Sequence, residues 1–110
     1  TCIADKDQII AVSGGSRKEF LDKNISQALE KVIEERGIFT ASKEEERFIP
    51  ILADDSGGNY NSELVSPIIS EGDVVGAVIF LSTDKDVKMG EVETKLAQSA
   101  SGFLGKQMEQ

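Results

Sequence analysis

Histidine is missing from this sequence, and Cys2 is its only cysteine. The first absence removes the Ser-His and Cys-His nucleophile arrangements, together with most zinc and iron sites. The second rules out an internal disulfide and points to a reducing, cytoplasmic setting. Aromatic residues make up 5% of the chain and hydrophobic residues 39%, so a core must be assembled mainly from Ile, Val and Leu. No run approaches the roughly 18 apolar residues of a spanning helix, and no segment resembles a signal peptide, so no membrane partner is expected. Positive charge is scarce too: 12 Lys and Arg stand against 20 Asp and Glu, for a net charge of −8. The cations are scattered singly or in pairs such as Arg17-Lys18, without the basic stripe and interleaved aromatics of a nucleic-acid surface. This stretch of chain is not expected to touch DNA or RNA.

At 110 residues the chain is expected to form one domain, 1–110. It opens Thr1-Cys2-Ile3 without an initiator methionine, which predicts a piece of something longer. The clearest signal is the run Val74-Val75-Gly76-Ala77-Val78-Ile79-Phe80-Leu81, apolar on both alternating faces. A strand with one wet face would alternate, so this one is predicted to be covered on both sides.

Upstream, Ile3-Ala4 and Ile9-Ile10-Ala11-Val12 flank a polar Asp5-Lys6-Asp7-Gln8 and predict a hairpin. Ser16-Arg17-Lys18-Glu19 has the form of a capping box opening a short helical turn. Asn24 is the expected cap of a one-sided helix carrying Ile25, Leu29, Val32 and Ile33, which ends at Arg36-Gly37 with glycine turning left-handed. The charged segment 39–47 predicts a loop, and 48–52 a strand placed at an edge by Pro50. Residues 54–61 are turn-rich. Residues 64–69, interrupted by Pro67, should pair with 74–82 through a tight turn at Ser70-Glu71-Gly72-Asp73.

Residues 91–108 predict a long C-terminal helix. Val92, Leu96, Ala100 and Phe103 fall within about 80° of arc, enough to cover a sheet. Ala97, Leu104 and Met108 widen the apolar arc to about 160°, more than a one-sided helix needs. Ala97, Ser101 and Gly105 form a row of small residues that would let another helix approach closely. A second copy is therefore expected to meet Ala97, Ala100, Ser101, Leu104 and Met108; the rival reading lays another part of the same chain over this face. The order strand, strand, helix, strand, strand, strand, helix gives an α+β domain with about five antiparallel strands.

Motifs that carry chemistry are sparse. Ser13-Gly14-Gly15-Ser16 could offer backbone N–H groups to an anion, but it lacks the Walker lysine and the spacing of a dinucleotide fingerprint, and reads better as a glycine turn between strand and helix. Asp54-Asp55-Ser56 with Asn59 and Asn61 resembles a calcium loop in composition only, so no metal is expected. Tyr60 reads either as a lid over a pocket or as the anchor of its loop. Cys2 reads as an inert thiol in a strand rather than a redox centre. No carboxylate pair stands out as acid and base, and no enzymatic activity is expected.

The order of elements resembles the GAF sensory domain, a relative of the PAS domain. Ile10-Ala11-Val12-Ser13-Gly14, Gly76-Ala77-Val78-Ile79-Phe80, Met89-Gly90-Glu91-Val92-Glu93 and the C-terminal Gly102-Phe103-Leu104 with Lys106-Gln107-Met108-Glu109-Gln110 narrow that likeness. Together they resemble the C-terminal half of the stage V sporulation protein T family of transcription regulators of endospore-forming bacteria. The resemblance implies a DNA-binding domain and a helix that precede this stretch, and helices that associate between subunits. It also implies a pocket between one sheet face and the loops over it, but does not supply the ligand; an unidentified small molecule is expected there, and the cofactor is left open. Ser13, Phe39, Phe48, Tyr60 and Asn61 are the expected ligand residues. The alternative is a purely structural oligomerisation module whose pocket is filled by Phe39, Phe48 and Tyr60.

Overall fold

The apolar run at 74–82 needs cover on both sides, and the fold provides it from two unlike layers. The computed structural model describes residues 1–13, 20–42, 48–53, 60–83 and 89–107. Along the chain lie β1 (Cys2–Ala4), β2 (Ile9–Val12), α1 (Gln27–Glu34), β3 (Phe39–Ser42), β4 (Ser62–Ser70), β5 (Asp73–Ser82) and α2 (Glu91–Gln107). The strands form one sheet in the order β2-β1-β5-β4-β3, antiparallel throughout. The α+β class, the five-stranded antiparallel sheet and the long C-terminal helix expected from the sequence are all present.

The long hairpin β4–β5 is the frame. Glu71 and Gly72 turn it with φ of 52° and 85°, the two positive angles of a primed turn that follows strand twist. Pro67 sits inside β4 opposite Ala77. It is tolerated because β3 ends at the pair Phe39–Val65, so no ladder continues past the proline on that side.

Three local expectations are corrected. The third strand is Phe39–Ser42, not 48–52. The charges that follow it hid a short β-forming segment, while 48–52 spends its polar groups elsewhere. Ser26 rather than Asn24 caps α1, its hydroxyl accepting the N–H of Leu29 at 3.0 Å. Asn24 instead bridges to Gln8, and its carbonyl accepts from Ala53. Beyond α1, Arg36 takes the left-handed turn at φ 65°, the role expected of Gly37.

Residues paired across a ladder share a face. On one face Cys2, Val65, Ala77 and Ile79 pack with Leu29 and Ile33 of α1 and with Ile51 and Leu52. This is the main core. On the other face Leu64, Ser66, Ile68 and Val78 are buried beneath α2, which lies chiefly along β4.

The face that α2 turns to the sheet is the reverse of the one expected. Ala97, Ser101 and Gly105 are buried, whereas Val92, Leu96 and Phe103 are 65%, 59% and 64% exposed. Close approach decides the matter. A Cβ on Gly105 would overlap the carbonyl oxygen of Ile69, and Ser101 exchanges a 2.8 Å hydrogen bond with Ser66 across the interface. Two buried hydroxyls satisfy each other there, which the large residues of the opposite stripe could not do.

Candidate functional site

Residues 48–53 cross the main-core face as a strap tied on two sides. On one side the Ser26 hydroxyl donates to the Pro50 carbonyl at 2.6 Å and the Ser26 N–H to the Ile51 carbonyl at 2.8 Å. On the other side the strap meets β4. Its Ile49 N–H donates to Oε1 of Glu63 at 2.9 Å, and its Ile51 N–H to the Tyr60 hydroxyl at 3.1 Å. Tyr60 donates in turn to the Ile49 carbonyl at 3.3 Å. Its ring packs against Phe48 with centroids 5.3 Å apart and planes tilted by 41°.

Glu63 is the unusual member of this group. It is fully buried, its ladder partners are Ala41 and Leu81, and its Oε2 has no hydrogen-bond partner. Burial away from water pushes its carboxyl up to about 7, opposed only by the Ile49 N–H. The chain therefore holds a carboxyl that titrates near neutrality beneath a strap, with one oxygen committed and one open.

Of the expected ligand residues, Phe39, Phe48 and Tyr60 converge on this face: Phe39 pairs with Val65, and both Phe39 and Phe48 pack on the main core. Ser13 and Asn61 do not join them. Ser13 is exposed and exchanges backbone hydrogen bonds with Thr1 at 2.8 and 2.9 Å beside the edge strand β2, with β1 and β5 between it and β4. Asn61 closes the end of the β4–β5 hairpin, its side-chain amide donating to the Thr83 carbonyl at 2.6 Å. The rest of the glycine turn (14–16) and the acidic turn (54–59) lie outside the described residues. Cys2 is buried in the core, and burial pushes its thiol up, so it is poorly set up to react.

Glu63 escaped the sequence reading, although a signal was present. It stands two residues before Val65, in phase with the core face of its strand, where a charge does not belong.

On the helix side, Ala97 and Ser101 are occupied by the sheet and cannot meet a partner helix without undocking α2. Ala100 and Leu104 are half-buried, and Met108 lies outside the described residues. The exposed stripe consists of Val92, Leu96 and Phe103, spaced four and seven apart and within about 40° of arc. Beside α2 a shallow groove of about 240 Å³ runs along β4, lined by Arg36, Ile38, Pro67, Ile69, Gln98 and Gly102.

Residues 1–109 match the family model described as stage V sporulation protein T C-terminal, transcription factor. The chain is 41% identical over 109 residues to stage V sporulation protein T of Bacillus subtilis (strain 168), covering 98% of this chain and 58% of that protein. It thus spans a little over half the length of that relative. Among solved structures it is similar to a type II free methionine-R-sulfoxide reductase from Thermoplasma acidophilum, with a TM-score of 0.64. That likeness covers 94% of this chain and 74% of the reductase at 13% identity, and it shows the fold alone.

Proposed function

Because the chain belongs to the stage V sporulation protein T C-terminal family, we propose that it is the regulatory part of a sporulation transcription factor. In this reading it is a GAF-like domain that pairs with a second copy through α2 and responds to a small molecule on the opposite sheet face. DNA contact then belongs to another part of the full-length protein. The net charge of −8 supports that division, since this part repels phosphate.

The observation that carries the pairing is the exposed stripe on α2. Val92, Leu96 and Phe103 stand on a helix whose other face is already docked, so a second copy can cover the stripe without disturbing the domain. Each such side chain contributes about 1.5–3 kcal/mol when fully buried. Spacings of four and seven residues are those of a helix–helix seam. The two functions share a scaffold, because β4 carries Glu63 on one face and Ser66, the partner of α2, on the other. A ligand that shifts β4 or the strap changes the seat of α2, and with it the relative orientation of two copies.

Leu96→Glu tests the pairing. The expected result is a drop in sedimentation from dimer to monomer with an unchanged circular dichroism spectrum, since Leu96 is exposed. An unaltered sedimentation coefficient would remove α2 from the interface. A purely structural assembly module is the second reading. It is favoured by Tyr60 and Phe48, which already satisfy and pack against each other and the strap.

A further inference from the structure

We propose that Glu63 anchors a binding site for a small primary amine with an apolar body, held between β4 and the strap 48–53. The proposal rests on the reading of this face as a ligand site and names the chemistry that such a ligand needs.

A fully buried carboxyl with an unpartnered Oε2 is unfavourable until a donor reaches it. No described Lys or Arg pairs with it. The ladder neighbours Ala41 and Leu81 have no side-chain donor, and the strap N–H that reaches Glu63, from Ile49, is spent on Oε1. Among the described residues, Tyr60 is a nearby titratable side chain, and its hydroxyl is bonded to the strap backbone at Ile49 and Ile51.

No described residue supplies the missing donor, which suits a bound molecule, and the site's chemistry narrows its class. Oε1 already accepts the Ile49 N–H, so a guanidinium fork would have to share that oxygen. A single-point cationic donor, an ammonium group, fits the one oxygen left. Ala41, Val65 and Leu81 line the same sheet face, which calls for an aliphatic body. An amine seated on Oε2 also bears on the strap, since the same carboxyl holds Ile49.

The test is a set of thermal melts at pH 8 with four probes: n-butylamine, n-butanol, sodium butyrate and ammonium chloride. At about 20 mM, n-butylamine is expected to raise the Tm of this chain by about 3–6 °C. The other three should leave it within a degree, and Glu63→Gln should abolish the amine effect. A structural carboxyl would show no such selectivity. No amine shift in the wild-type chain, or an equal shift in Glu63→Gln, overturns the proposal. Stabilisation of both proteins by n-butanol or butyrate overturns it while leaving a ligand site on this face. If no probe moves Tm and none perturbs the Ile49 or Tyr60 amide resonances, the ligand reading fails as well.

Discussion

The residue that most rewards attention is a single glutamate in an apolar strand. Glu63 has an ordinary carboxyl value of 4.5, raised in the folded chain to about 7. Below pH 4.5 it is protonated in both states and contributes nothing to pH dependence. Between 4.5 and about 7 the unfolded chain releases its proton while the native chain keeps it, so stability falls as pH rises. Above 7 both states are ionised and the loss is complete. In amine-free buffer Glu63→Gln should therefore stabilise the fold at pH 8 by about 1–3 kcal/mol and change little at pH 4.5. Urea denaturation at the two values checks it, and an equal effect at both would show that ionisation is not the cause. The sequence made this residue legible only in part. Period-two alternation marks position 63 as inward-facing, but a lone Glu beside Asn61 and Ser62 reads as the start of a loop. The same local ambiguity moved the cap of α1 from Asn24 to Ser26. Both residue types cap helices, and only the strap's carbonyl at Pro50, reaching the Ser26 hydroxyl from 24 residues away, singles out the serine.

Elements were legible where the pattern was long and hidden where it was short. The runs that became β5 and α2 announce themselves by periodicity. β3 has four residues, too few to show a period, and it borders a charged segment. The strap at 48–52 is as hydrophobic as a strand, yet Pro50 and five hydrogen bonds to Ser26, Tyr60 and Glu63 keep it out of the sheet. In α2 the two apolar stripes were visible but not their assignment. A helical wheel ranks large residues as the natural sheet cover, whereas this sheet takes the small ones, because backbone contact at Ile69 leaves no room for a side chain at Gly105. Two glycines separate these alternatives. Gly105→Ala should destabilise the chain by about 1–3 kcal/mol, since the clash outweighs the gain of about 1 kcal/mol in helix propensity. Gly102 meets nothing within 4 Å, so Gly102→Ala should stabilise by about 0.5–1 kcal/mol. Chemical denaturation of the two variants distinguishes them. Similar gains for both would mean that α2 does not seat on β4 through its small residues.

For the whole molecule, the governing feature is a sheet with two differently used faces. One face carries the main core, α1 and the strap over Glu63; the other seats a helix that leaves Val92, Leu96 and Phe103 in water. The α+β class follows from the order of elements, and the family words spread along nearly the full chain. Which face of α2 is free depends on three-dimensional approach and was not readable from the sequence. The pairing proposed for that face would have to overcome repulsion between two chains of charge −8. Association should accordingly tighten as salt rises from about 0.05 to 0.5 M, as screening shortens the reach of the charges. Sedimentation equilibrium over a range of chain concentrations at moderate salt puts the central claim to its most direct test. The mass is expected to rise to twice that of one chain as concentration increases; the mass of a single chain throughout would contradict pairing through α2.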